Sequence, residues 1–366
     1  MQEQKAPHKH WLQNIKAWKF RNPLAFWAAI GLALIVLAAG VASAAYLLMT
    51  PKKVDQAPVK ITKKPAPPAP KFYSPLTGTL VKDEASTKQA VTAIMIENSP
   101  DARPQSGIKQ AGVVYEAIAE GGITRFLALY QESKPQLIGP VRSVRMYYID
   151  WAAPYNASIA HIGGSAAALA EVRNGNYRDI DQFFNAPYYW RATDRYAPHN
   201  VYTSFEKLDA LNAKKQYTSS TFTGFGRTDG KPVATPTAKS IDMTISSAWY
   251  NTRYDYDPTT NTYPRSIGGQ ASNDREEGRL APAVVVAMRV NMSKIFEDGW
   301  RETIATTGSG NAVIFQNGTA IEATWRKNSR SEQLEFIDAA GKQIALNRGQ
   351  TWITAVPNGT GNVTWQ

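Results

Sequence analysis

Ala102 to Arg145, ARPQSGIKQAGVVYEAIAEGGITRFLALYQESKPQLIGPVRSVR, alternates long apolar runs with turn residues and isolated arginines. Two apolar runs, Gly112 to Ala119 and Thr124 to Glu132, flank Glu120-Gly121-Gly122 and predict a β-hairpin. Four arginines punctuate the stretch: Arg103, Arg125, Arg142 and Arg145. Each borders a Gly, Pro or Ser cluster rather than a solvated charge run. A segment that is apolar in its strands and cationic at its turns can converge several guanidiniums on one place, and a guanidinium fork matches carboxylate and phosphate oxygens in pairs. The expectation is a floor for an anionic or polar ligand. The competing reading is internal Arg–Glu pairing, because Glu97, Glu116 and Glu120 lie close in sequence and buried charges are normally paired.

Working outward, Gln89 to Glu97 reads as a buried strand and Ala157 to Ile162 as another, ending at Gly163-Gly164. Ser165 stands where a helix cap belongs, ahead of Ala166 to Asn174 and the closing Gly175. Met146 to Ala153 and Phe205 to Lys215 also read as helices, the second capped by Ser204. Strands mixed with helices place a mixed α/β ligand-binding domain at 72–225. Gly224 to Lys239 carries turn residues and little core. Beyond it, helix signals are scarce and hairpin signals recur, the strongest being Asn317-Gly318. The second domain, 240–366, is expected to be mostly antiparallel β. The fold class is therefore α+β.

The N-terminal third of the reading concerns location. The run Leu24 to Met49 contains no charge and is long enough for a hydrocarbon core of about 30 Å. Lys5, Lys9, Lys16, Lys19 and Arg21 precede it, and only Lys52 and Lys53 follow closely. That bias places the basic tail, 1–23, in the cytoplasm and the rest outside, with 24–49 as a single-pass anchor. A cleaved signal peptide is the rival, since Ala42-Ser43-Ala44 fits a cleavage site. Residues 50–71, rich in Pro and Lys, form an extended linker. Residues 1–71 hold 11 Lys/Arg and 2 Asp/Glu, a balance of +9, so the remaining 295 residues carry only +2 of the total +11. A basic nucleic-acid-binding body is not supported. The chain has no cysteine, which removes thiol chemistry, disulfides and a lipidated cysteine.

Several blocks carry a family resemblance: SPLTG, MIENSPDARPQSG, VVYEAIAEGGITRF, IGPVRSVR, AHIGGS and APHNVYTS in the first region. YDYDPTTNTYPR, GSGNAVIFQNG, Trp325-Arg326-Lys327 and GKQIALNRGQTWITAVP follow in the second. The chain is similar to the YerB-like family of bacterial cell-envelope proteins, typically lipoproteins, made of two adjoining domains of unknown function. The resemblance covers about 74 to 357 and departs at the N-terminus, where a span replaces the lipidated cysteine. It implies an envelope location and a two-domain layout, and no established activity.

The candidate site residues follow from chemistry. Arg103, Arg125, Arg142 and Arg145 are expected to bind the ligand's charge, with His161 and His199 at the rim and the aromatic run Ala186 to Asn200 closing over them. The expected ligand is a cell-wall polymer, anionic or glycan; a third reading, after the enzyme considered next, is a purely structural partner of an envelope protein complex. An enzyme is the second reading. It would use His161 or His199 as acid/base group with Glu120 or Ser165 as partner, although the G-x-S-x-G elbow is absent. A glycosidase pair drawn from Glu97, Glu116, Glu120 and Asp150 is also open. His161 and His199 with Asp150 or Asp194 lack the local spacing of a metal motif, so no metal or cofactor is expected.

Overall fold

The computed structural model describes residues 8–50, 70–294 and 301–366. Most of the expected linker, residues 51–69, lies outside them. Two compact units result, Met1–Pro68 and Ala69–Gln366.

The first unit consists of two helices, α1 (His8–Arg21) and α2 (Pro23–Met49). Pro23 opens α2, where a missing N–H costs no intrahelical bond. Its 27 residues, about 40 Å long, bury no side chain against protein. This is the one helix among the described residues long and apolar enough to cross a membrane.

The second unit is built on two sheets. Its larger strands are β1 (Thr92–Glu97), β2 (Val113–Glu120), β3 (Ile123–Tyr130), β4 (Ser158–His161), β5 (Arg178–Asp181), β6 (Ser240–Thr244), β7 (Thr252–Asp255), β8 (Arg265–Ile267), β9 (Gln270–Ala271), β10 (Val284–Val290), β11 (Gly308–Gln316), β12 (Thr319–Lys327), β13 (Glu335–Ile337), β14 (Thr351–Pro357) and β15 (Asn362–Trp365). The helices are α3 (Met146–Ala152), α4 (Ala166–Asn174) and α5 (Phe205–Lys214). Ten strands form one mixed sheet in the order β13-β12-β11-β10-β14-β2-β3-β1-β4-β5. A second, antiparallel sheet runs β9-β8-β7-β6-β15.

Alternation along the central strands assigns their two faces. Ala93, Met95, Val113, Tyr115, Leu127 and Leu129 pack on one side with Tyr148 and Trp151 of α3 and Val172 of α4. Ile94, Ile96, Val114, Phe126 and Ala128 pack on the other with Ile241, Met243 and Tyr254 of the second sheet and Phe205, Leu208 and Leu211 of α5. The expected hairpins are present: β2–β3 turns at Gly121 and Gly122, and β11–β12 at Asn317 and Gly318, all four with positive φ. The helices at 146, 166 and 205 are present too, and Ser165 and Ser204 cap α4 and α5.

The two sequence regions meet strand to strand. β14, from the second, pairs in parallel with β2, from the first, over Thr351↔Val113 to Thr354↔Glu116. A fully buried ion pair holds the second sheet onto that seam. Nη2 of Arg265, on β8, lies 3.0 and 2.9 Å from the two oxygens of Glu116 on β2. Trp352 Nε1, on β14, donates to the same carboxylate at 2.9 Å, and Thr124 Oγ1 donates at 3.2 Å. The other guanidinium nitrogens donate to Tyr254 Oη and Ser272 Oγ, and the group stacks 4.7 Å from the Trp352 ring. Glu116→Leu should leave the Arg265 charge stranded in a dry interior and cost about 3–5 kcal/mol, as should Arg265→Leu. The double variant should lose clearly less than the sum, because neither charge is then left alone. Urea unfolding of the detergent-solubilised chain checks both statements.

Candidate functional site

Three consecutive sheet neighbours end together: β1 at Glu97, β4 at His161, and β3 starting at Ile123 on the antiparallel side. β1 and β4 are parallel and paired from Thr92↔Ser158 to Ile94↔Ala160. Beyond that register they part, and the segment Gly139 to Arg145 slides between them. Arg142 N–H donates to Met95 O and Glu97 N–H to Pro140 O on one side. Ile162 N–H donates to Arg142 O and Val144 N–H to Gly163 O on the other. A wedge that separates two parallel strands gathers its side chains outside their carboxyl ends, and open sheets commonly take a ligand in the crevice there. The wedge carries Arg142 and Arg145 there.

The charges at this crevice form two linked groups. In the first, Glu120 holds Arg125 through Oε1 at 2.6 Å and Arg145 through Oε2. Arg125 is fully buried, and its Nη1 also donates to Ser143 O at 3.0 Å. Arg145 Nη1 donates to Val144 O at 2.8 Å. Burial pushes the Glu120 pKa up, but the two guanidiniums outweigh it and hold the carboxyl below the usual range. In the second group, buried Glu97 lies 2.5 Å from Arg142 Nε and 3.3 Å from His199 Nδ1. Three guanidiniums against two carboxylates leave a net positive charge. Arg142 is 26% exposed; its Nε contact with Glu97 lacks hydrogen-bond geometry, and among the described residues neither terminal nitrogen has a hydrogen-bond partner. His199 is 21% exposed, and its bonds to Glu97 and Ser99 both use Nδ1.

The run Ala186 to Asn200 delivers His199. Trp190–Arg191 pairs with Val201–Tyr202, and Arg195 donates to Asp101 O and Pro104 O. Phe183, exposed and set against Gly163, flanks the crevice from the β4 side, although nothing in its local sequence singled it out.

Other expected members lie elsewhere. Arg103 is separate from the trio: it donates to Asn98 Oδ1, Asn98 O and Trp249 O and lines a different hollow from Arg145. A single floor of four arginines therefore does not form, because residue 98 turns the chain toward the opposite face of the sheet. His161 is not at the rim. It is fully buried, with Nδ1 2.8 Å from Gly163 O and Nε2 3.0 Å from Asp179 Oδ1. Ser165 accepts from Ala168 N–H as the α4 cap and has no hydrogen bond to either histidine. Ser99, His199 and Glu97 do not make a relay either, since serine and carboxylate approach the same ring nitrogen and a relay needs both. Each candidate glycosidase carboxylate has an arginine: Glu97 with Arg142, Glu116 with Arg265, Glu120 with Arg125 and Arg145, Asp150 with Arg330. Glu120, held as an anion, is unsuited to donate a proton. Among the described residues no three His, Asp or Glu side chains converge as metal ligands.

These features define a class: an α+β protein of two regions joined through one mixed sheet, with a cationic cluster at its strand ends. Comparison with known proteins places it more narrowly. Residues 76–218 match the N-terminal domain, and residues 241–353 the C-terminal domain, of a family described as a protein of unknown function, DUF3048. A Bacillus subtilis (strain 168) protein named "Putative lipoprotein YerB" is 32% identical over 296 residues, 79% of this chain and 88% of its own. The crystal structure of YerB from Bacillus subtilis superposes with a TM-score of 0.71 at 28% identity, covering 80% of this chain and 99% of that one. The chain belongs to the YerB-like family.

Glu120→Gln should remove the anion that neutralises Arg125 and cost about 3 kcal/mol near pH 7. Because Glu120's carboxyl titrates lower folded than unfolded, its contribution is full above the ordinary glutamate range and fades as pH falls through the folded value. The parent should therefore lose stability below about pH 4 more steeply than the Gln variant. Thermal unfolding scans of both from pH 7 to 3 read this.

Proposed function

We propose that the chain is an extracytoplasmic envelope protein, anchored once through residues 24–49, that binds an anionic group of a cell-wall polymer at the strand-end crevice. The observation that carries the reading is the Arg142 guanidinium, set beside the Glu97 carboxylate while neither terminal nitrogen has a hydrogen-bond partner among the described residues. Two parallel N–H donors with one net positive charge behind them suit a phosphate or carboxylate oxygen pair. His199 supplies a further polar contact at the rim. Arg125, Arg145 and Glu120 act as support: their mutual pairing fixes the wedge and sets the local charge.

The address rests on two supports. The apolar α2 follows a basic segment, and the Bacillus subtilis relative is named a lipoprotein. This chain has no cysteine for a lipid, so the helix takes over the attachment.

The test is co-sedimentation of the detergent-solubilised full chain with wall sacculi, before and after removal of their phosphate polymers. The parent should bind the untreated wall, more weakly as salt rises. Arg142→Ala should weaken binding about tenfold or more, the loss of one charge-assisted contact. Arg142→Lys should restore only part of it, because an ammonium lacks the fork. Unchanged binding by a folded Arg142→Ala variant would remove the proposal.

A further inference from the structure

Across the loop Asn98 to Gln105 from the crevice lies a hollow of about 320 Å³. One wall is Pro100, Arg103 and Pro104 from the first sequence region; the other is Ile267 to Asn273 from the second, with Trp249 between them. Ligand pockets favour such junctions, and this volume is at the lower end of their range.

Three observations give the hollow a chemistry. Trp249 is 63% exposed, yet its backbone is fixed. It sits in the turn Ala248–Tyr250, its carbonyl accepts from Arg103 Nη2 at 3.1 Å, and Gly268 packs so closely that a Cβ there would lie 3.1 Å from the same oxygen. The Arg103 guanidinium is itself held, stacked 5.2 Å from the Tyr250 ring and bonded to Asn98. The remaining wall is rich in amides and hydroxyls: Gln270, Ser272 and Asn273. A single exposed indole on a fixed backbone, bordered by polar groups, matches a sugar ring, which has an apolar C–H face and a polar perimeter. A peptide is a poorer match. The adjoining edge strand β9 is two residues long, too short to add an extended chain, and no row of apolar side pockets accompanies it.

We propose that this hollow is a glycan subsite in which Trp249 stacks one ring and Arg103, Gln270 and Asn273 bond its perimeter. An acetamido sugar is the preferred class, because its amide pairs with the amide side chains of the wall. The subsite shares no contacting residue with the Arg142 crevice, so it stands or falls separately from the anion-binding reading.

The experiment titrates the full chain in nanodiscs with a β-1,4-linked N-acetylglucosamine tetramer, followed by calorimetry and by saturation transfer to the sugar protons. Saturable binding is expected. Trp249→Ala should weaken it about tenfold or more, and Trp249→Phe should keep part of it. Arg142→Ala should leave it unchanged. No saturable binding by the parent, full affinity in Trp249→Ala, or capture of wall stem peptides in place of the sugar would each overturn the proposal.

Discussion

The Glu116–Arg265 pair is the constraint on which the rest of the architecture depends. Both side chains are out of water, and either one alone would face a desolvation cost of several kcal/mol. The carboxylate is reached from β3, β8 and β14 at once, through Thr124, Arg265 and Trp352. An acid satisfied from two sequence regions can be buried only when those regions meet in one register. Apolar contacts between two sheets tolerate small slips, whereas this network does not. It makes the meeting of β14 and β2 specific as well as favourable.

That seam explains where the polar sites lie. Because β14 adds to β2, the first region's strands stand with one edge covered, and their free ends project beyond the joint. The second sheet covers the opposite face and brings Trp249 and the β8–β9 hairpin against the Asn98–Gln105 loop. One short loop thus borders the charged crevice on one side and the aromatic hollow on the other. Arg195 and Gln105 hold it, the first through the carbonyls of Asp101 and Pro104, the second through Glu97 O and Asn98 Oδ1.

Local features were legible in the sequence. The hairpins at Gly121-Gly122 and Asn317-Gly318 and the caps at Ser165 and Ser204 depend on neighbours within a few residues, and such signals survive folding. The family blocks pointed to the right relatives for the same reason. The shared sheet was not legible, since β2 and β14 are separated by more than two hundred residues and continuous apolar strands do not name their partners. His161 shows how residue type misleads: histidine at the end of a strand looks like a rim group, but β5 lays Asp179 and Asp181 beside it and buries the ring. Trp249 carried no signal, because the residues that hold it come from the distant Arg103 and Gly268.

The arginines sort by what neutralises them. Arg125 is fully buried and faces a carboxylate because a lone guanidinium could not be buried there; Arg145 shares that carboxylate from the wedge. Their pairing is the condition for the crevice, since it lets the wedge enter between β1 and β4 without trapping unpaired charge. Arg142 differs in one geometric respect. Glu97 lies beside its Nε, the nitrogen nearest the chain, without hydrogen-bond geometry, and neither terminal nitrogen has a hydrogen-bond partner among the described residues. An arginine held end-on is consumed by its partner, whereas this one keeps its terminal donors available. The two readings the sequence left open, pairing inside the fold and reception of a ligand, are therefore compatible: the pairing that fixes Arg125 and Arg145 leaves the terminal nitrogens of Arg142 without a hydrogen-bond partner among the described residues.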